Sequence, residues 1–395
     1  MEDCGGTIHH TIKRRVRKVM YQAFQYRIQP TVEQEAALAV QFGHARFVYN
    51  WALQQRIQAY QQTQKSLSFS QLCKLLTQLK QQPDYLWLND AYSQCLQQKL
   101  KDLGRAFTHF FGGHARFPKP KKKHDRQSIR FPQGFHIKEE QLYLPKLGGL
   151  ALILHRPLQG TPKNVTVSKT KSGHYFVSIL CEVEASPSVP STSQRPAVGL
   201  DLGLTHFLTT SKGEQVENPR WLRRSERKLA KLQRKLQRKK KGSKNREKAR
   251  RQLAKQAEGV SHQRRDFQHK LSKRLVREHS LLVFEDLNVR GMVKNRRLAK
   301  SIHDAGWSQF VRFCEYKGAW YGCDVVKVGR FFASSKLCSC CGWKHESLHL
   351  KDRAWTCGGC GTHHDRDKNA AKNLLHQALS SLGLEPTDLM SVETA

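Results

Sequence analysis

The sequence is short of acidic residues, and it has no long apolar run. Asp and Glu number 32 against 69 Lys and Arg in 395 residues, a formal charge of +37. A folded chain this poor in carboxylates cannot neutralise itself, and its simplest partner is a polyanion that releases counterions on contact. No uninterrupted apolar segment is long enough to span a bilayer, and the opening MEDCGGTIHHTIKRRVRK has no apolar signal-peptide core. The expectation is a cytoplasmic, nucleoid-associated bacterial protein with no membrane partner, which leaves nucleic acid as the polyanion. The chain also lacks the spread of cysteines that a disulfide framework needs. Of its eleven cysteines, Cys4, Cys73, Cys95, Cys181, Cys314 and Cys323 are scattered, as ordinary thiols of a reducing compartment are. The other five crowd into Cys338–Cys360, and such clustering points to metal.

Along the chain, residues 1–19 are polar, basic and without periodicity, and disorder is expected there. MYQAFQYRIQP then alternates like a strand and stops at Pro30. Thr31 with Gln34 three residues on is a capping box, and Leu38, Phe42, Ala45 and Tyr49 follow at helical spacing. Helical text continues to about residue 114. Between 115 and 190, short alternating runs broken by Gly and Pro predict antiparallel strands. The basic run Lys119–Lys123 beside Phe117 and Phe131 suits a phosphate backbone as well as it suits a solvated loop. SPSVPSTSQRP marks the main domain boundary. Beyond it, residues 223–256 hold 17 Lys and Arg against two Glu, with Leu222, Leu229 and Leu236 seven apart. That pattern predicts an antiparallel pair of basic helices broken at KKGSKN, whose uniform charge favours nucleic-acid contact over a merely solvated face.

Cys338 and Cys341 form one C-x2-C pair and Cys357 and Cys360 another, with fifteen residues between them. Four thiolates on two tight turns are the ligand set of a structural zinc ribbon. Gly342 and Gly361 follow the pairs and supply the backbone freedom such turns need. Cys340 competes with Cys341 for a place, and His345, His349, His363 and His364 are weaker substitutes. A filled shell of four cysteines leaves no open position for chemistry.

Three acids stand out. Asp201 lies inside the apolar strand AVGLDLG, Glu285 ends the apolar strand LLVFE, and Asp367 opens the helical text DKNAAKNLLHQAL. Each alone reads as a strand-end or helix-start acid. Together they make a cage for hard divalent cations. Two Mg²⁺ ions about 4 Å apart in such a cage would serve phosphodiester hydrolysis.

The segments PTVEQ, FGHARFVYN, RFPQG, VGLDLGLTHF, DFQHKLSKRL, FEDLNVRGM, LAKSIHDAGWSQF, SSKLCSCCG and HDRDKNAAKN together resemble the TnpB/OrfB family of bacterial insertion sequences. The resemblance runs from about Met20 to Leu375. It implies an RNA-guided DNA endonuclease, related to type V CRISPR effectors, that cuts target double-stranded DNA beside a short motif. The implied partners are a guide RNA from the transposon end and the target DNA, with the protein a monomer on its RNA. The implied fold is mixed α/β. A RuvC-like nuclease domain of RNase H type spans 196–330 and 366–382, with a zinc-ribbon insertion at 331–365. An N-terminal β-barrel lobe spans 20–30 and 115–190, with a helical recognition subdomain at 31–114 inserted in it. Residues 1–19 and 383–395 are an extension and a tail. Residue by residue, the resemblance puts the catalytic acids on Asp201, Glu285 and Asp367, with Asp286 and Asp365 flanking and Asn369 and Asn373 orienting the helix or the acid. FFASSK departs from the FPSSK of many relatives in a connector, without consequence for chemistry. The family's usual start makes Met20 the expected initiator. Two other classes stay open. One is a regulator that holds guide RNA and does not cut; the other is a transposase that joins strands itself.

Overall fold

The computed structural model describes residues 20–184, 195–349 and 351–384. The basic extension, most of the Ser/Pro segment and the tail from residue 385 lie outside the described residues. The chain divides into two compact units between Ala185 and Ser186.

The first unit begins with β1 (Met20–Ile28), where Phe24, Tyr26 and Ile28 are buried on alternate positions. Thr31 then caps α1 (Val32–Thr63). The Gln34 N–H donates to Thr31 Oγ1 at 3.2 Å, and the Thr31 N–H donates to Gln34 Oε1 at 3.0 Å. The helices α2 (Phe69–Leu79) and α3 (Ser93–Phe111) pack on α1 through Val48, Leu53, Leu72, Leu76 and Leu100. The strands are β2 (Gln127–Phe131), β3 (His136–Lys138), β4 (Gln141–Leu144), β5 (Gly148–Ile153), β6 (Thr161–Lys169) and β7 (Tyr175–Val183). With β1 they form one antiparallel seven-stranded sheet in the order β2-β6-β7-β1-β5-β4-β3. The family resemblance implies a β-barrel lobe here; among the described residues, the edge strands β2 and β3 do not pair with each other. Side chains of the helical segment approach β2 instead: Arg46 Nη1 donates to Gln127 Oε1 at 3.2 Å, and the ring of Tyr92 stacks on Phe131 with centroids 6.2 Å apart.

The second unit is built on β8 (Ala197–Asp201), β9 (His206–Thr210), β10 (Gln215–Glu217), β11 (Leu281–Glu285) and β12 (Asp324–Val328), ordered β10-β9-β8-β11-β12. The pairs among β10, β9 and β8 are antiparallel, whereas β8, β11 and β12 run parallel. Parallel neighbours need long crossovers. The first is the basic helical pair α4 (Trp221–Gln237) and α5 (Lys244–Glu278), broken where the sequence predicts. The second holds α6 (Val289–Met292), α7 (Arg296–Ala305) and α8 (Trp307–Tyr321). The hairpin β13 (Ala354–Thr356) and β14 (His363–Asp365) leads straight into α9 (Arg366–Leu382).

Both faces of this sheet are covered, which is why β8 and β11 are apolar without alternation. Val198, Leu200, Leu282 and Phe284 face one core with Leu275 of α5 and Phe310 of α8. Ala197, Leu281, Val283 and Val328 face the other, with Leu374, Ala378 and Leu379 of α9.

Candidate functional site

The strand period of two fixes where the acids point. Odd-numbered residues of β8 and β11 face α9, so Asp201 and Glu285 fall on the α9 side. Leu200 is paired with Phe284 on neighbouring parallel strands, so the next residues, Asp201 and Glu285, end the two strands side by side. Asp367 stands in the first turn of α9, across the same face. The helix lies very close to β8. A Cβ built on Gly199 would sit 1.9 Å from the Ala371 carbonyl oxygen.

Burial pushes the Asp201 carboxyl up to about 7, and the negative charges of Asp367 and then Glu285 add to the effect, against the guanidinium groups of Arg366 and Arg353. Burial also raises Glu285, with Asp286 beside it. Asp201 thus feels both of the other carboxylates, yet the three do not draw together into a group with donor atoms within 4.8 Å.

The flanking acids are engaged elsewhere. Asp286 accepts from Arg330 Nη2 at 2.6 Å. Asp365 is the N-cap of α9, its Oδ1 accepting from the Lys368 N–H at 2.9 Å. Among the described residues, Asp367 makes a long ion pair, 3.7 Å, to the exposed Arg353.

The sulfurs of Cys338, Cys341, Cys357 and Cys360 all lie within 4.8 Å of one another. Cys338 and Cys360 are 3.7 Å apart, and Cys341 and Cys357 are 3.5 Å apart. Tetrahedral zinc with bonds of about 2.3 Å needs sulfurs about 3.8 Å apart, so the four residues fit the ion. The two turns are built alike. The Gly342 N–H donates to the Cys338 carbonyl and the Gly361 N–H to the Cys357 carbonyl, each at 3.0 Å, and both glycines have positive φ. The amides of Cys340 and Gly359 donate to the sulfurs of Cys338 and Cys357 at 3.4 and 3.3 Å. Cys340 belongs to a second group, with Cys338 and His364.

Long-range bonds that no spacing rule could reveal join this module to α9. Asn369, buried, accepts from the Ser339 N–H at 2.9 Å and donates to the Leu337 carbonyl at 2.7 Å. Asn373 donates to the carbonyls of Ser334 and Leu337, both at 2.7 Å. Arg366 donates to the His349 carbonyl at 2.8 Å and to Ser335 Oγ at 3.3 Å. The first cysteine turn and the helix carrying Asp367 are thus one bonded body. Sequence reasoning also missed Asp304, a buried acid that accepts from the Leu222 N–H at 3.1 and 3.0 Å and from Arg264 at 3.1 Å, anchoring the start of α4. Its setting in the polar text SIHDAG gave no signal.

Comparison with known proteins adds the following. Residues 178–296 match the family OrfB_IS605, described as "Probable transposase", and residues 307–374 match "Cas12f1-like, TNB domain". Residues 20–65 match a family called "Helix-turn-helix domain", although here that stretch is β1 followed by the single helix α1. A "Putative RNA-guided DNA endonuclease" of Streptomyces pristinaespiralis is 43% identical over 91% of this chain and 90% of its own length. A protein of the same designation, InsQ of Escherichia coli (strain K12), is 34% identical over 90% of this chain and 91% of its own. Among solved structures, a Cas12f1-sgRNA-target DNA complex aligns with a TM-score of 0.51 at 13% identity, covering 90% of this chain and 98% of that one. No described helix is long and apolar enough to cross a membrane.

Proposed function

The chain belongs to the OrfB_IS605 (TnpB) family, and from that premise we propose that it is an RNA-guided DNA endonuclease whose cutting centre is Asp201, Glu285 and Asp367. One observation carries the assignment. Two adjacent strand ends and one helix start each bring a carboxylate to the same covered face, and Asp201 is raised to about 7 by burial and by the other two. Such a concentration of unneutralised oxygen donors suits a hard cation. Asp201, Glu285 and Asp367 would hold two Mg²⁺ ions, which when bound supply an activated water and neutralise the leaving oxygen.

The protein's own residues do the rest. Asp201 and Glu285 are held by strands with covered faces, so their positions do not depend on loops. Asp367 is fixed by α9, and α9 by the Gly199 approach and the Asn369 and Asn373 bonds. Arg353, exposed beside Asp367, offers a guanidinium to a phosphate entering the site. The strand order, three antiparallel strands then parallel ones with α9 on one face, supports the RNase H-like (RuvC) reading of residues 196–330 and 366–382. The paired cysteine turns support a zinc ribbon at 331–365 whose single Zn²⁺ is structural.

In this reading guide RNA pairs with the target strand, and the protein holds the heteroduplex by its backbone. The basic α4–α5 pair belongs to that backbone contact and not to base reading. The test is to purify the protein with the RNA it retains, sequence that RNA, and offer matched duplex DNA with Mg²⁺. Cleavage that disappears in Asp201→Ala, with RNA still bound, is the expected result. Cleavage retained in that variant removes the site assignment. Intact DNA with the wild-type protein at every adjacent motif removes the nuclease.

A further inference from the structure

The Cys338 sulfur is almost wholly removed from solvent, with 2% exposure of the residue, whereas Cys341 and Cys360 are exposed. A zinc ion with four thiolates carries two net negative charges, and each buried thiolate needs donors to offset its lost hydration. Cys360 has the Thr362 hydroxyl at 3.3 Å and is exposed. Cys338 has the Cys340 amide at 3.4 Å and, nearer, His364 Nε2 at 3.0 Å. His364 is itself buried, its ring 4.8 Å from that of Trp355, to which it is paired across the β13–β14 hairpin. A metal-bound thiolate has no proton to give, so the nitrogen facing it must be the donor.

We propose that His364 is a positioning residue that donates its Nε2–H to the Cys338 thiolate and so couples the zinc shell to the nuclease centre. It stands on β14, immediately before the Asp365 cap, and Asp367 follows in the first helical turn. The contact joins the metal side of the module to the start of α9 directly. The Asn369 and Asn373 bonds run instead from the backbone of the turn to points further along the helix. A shift of the ion is thereby felt at Asp367 within three residues. The inference rests on the reading that the four cysteines hold zinc.

The experiment compares wild type, His364→Phe and His364→Gln as full chains with their bound RNA. Phe keeps the ring against Trp355 and removes the donor; Gln loses the ring and keeps an N–H. Zinc content and competition with a chromogenic chelator are measured first, then the sulfur-to-metal absorption band of the cobalt-substituted proteins. The Phe variant is expected to hold zinc roughly 10–100-fold more weakly and to shift the cobalt band, with Gln restoring both in part. DNA cutting should fall with Phe while RNA binding stays unchanged. Unchanged affinity and band in the Phe variant would show that His364 only packs against Trp355, and the proposal fails. A wild-type band with three sulfurs and one nitrogen makes His364 a ligand, which also overturns it. A wild-type chain that takes up no zinc overturns the zinc reading itself, a failure distinct from either.

Discussion

Gly199 of β8 and Ala371 of α9 touch backbone to backbone, so closely that a Cβ on the glycine would meet the Ala371 carbonyl oxygen at 1.9 Å and Leu375 Cβ at 3.1 Å. The obstacle is main chain, which cannot rotate aside. Asp201 lies two residues after Gly199 on the same face, and Asp367 lies one helical turn before Ala371. The distance between two of the three proposed catalytic acids is therefore set by a missing side chain. Gly199→Ala should push α9 off the sheet, cost about 1–3 kcal/mol of stability by overpacking, and reduce cutting more than its loss of stability explains. Thermal unfolding and single-turnover cleavage measured below the transition check this together. A variant that cuts at the wild-type rate removes the claim that this approach sets the site.

Two pairs of neighbouring acids should separate cleanly on mutation. Glu285→Gln is expected to abolish cleavage, whereas Asp286→Asn loses only a half-exposed ion pair with Arg330, worth about 0–1 kcal/mol, and should still cut. Asp367→Asn likewise removes activity, while Asp365→Ser keeps an N-cap for α9 and should leave cleavage near the wild-type rate. Loss of cutting in Asp286→Asn or Asp365→Ser would enlarge the site beyond three acids.

What could be read from the sequence was whatever depends on local chemistry. The Thr31–Gln34 capping box, the alternation in β1, the paired cysteines with their glycines and the break in the basic helices each need only a few neighbouring residues, and each stands in the structure. Asp201 and Glu285 could be named because an unpaired carboxylate in an apolar strand is costly, and Asp367 because the family resemblance marks the acid that opens its helix. Their common face, in contrast, follows from which strands pair, and β8 and β11 are separated by two basic helices. The family resemblance marks Asn369 and Asn373 as orienting residues, but their partners, like those of Arg366, were illegible for the same reason: they lie some 14 to 39 residues away, on a turn whose path the metal module dictates. That β2 and β3 stand at the edges of the seven-stranded sheet could not be read either, because alternation is silent about edges.

Zinc removal should act on cutting through α9. A chelator strong enough to strip the four cysteines, or Cys338→Ser, is expected to remove one zinc per chain and to impair cleavage with RNA binding intact. Asn369→Ala should mimic part of this with the metal still bound, because it leaves the Ser339 N–H without its buried partner, at a cost of about 1–3 kcal/mol, while the Leu337 carbonyl keeps only Asn373. Metal content by elemental analysis beside cleavage rates distinguishes the two routes. Full activity in metal-stripped protein would detach the module from the chemistry.

The α4–α5 pair should govern the salt dependence of nucleic-acid binding. Of its few acids, Glu247 is already engaged, drawn down to about 2 by its hydrogen bond to Arg250, with Arg251 also adjacent. Most of the exposed cations are thus not cancelled within the pair. Replacing Arg227, Lys228 and Lys231 together by Ala should flatten the slope of log affinity against log salt by roughly 0.7–0.9 for each phosphate that is no longer neutralised, without changing which DNA sequences are cut. An unchanged slope would place the nucleic acid elsewhere.

Asp201 gives the site a pH signature that does not require catalysis. Its carboxyl sits at about 7 in the folded chain against an ordinary value near 3.8. Between roughly pH 4 and pH 7 the folded state keeps a proton that the unfolded state has lost, so the metal-free protein should lose stability as pH rises through that window and level off above it. Asp201→Asn cannot ionise and has nearly the same shape. It should melt at the wild-type temperature near pH 4 and above it at pH 8, where the wild type confines three negative charges on one face. Mg²⁺ should stabilise the wild type more at pH 8 than at pH 6, because below about 7 it must displace the proton, and should do little for the Asn variant. Melting curves from pH 4 to 8, with and without Mg²⁺, measure all of these differences. Parallel curves for the two proteins would mean that Asp201 is not the strained acid of the centre, and the assignment of the metal-binding face would fall with it.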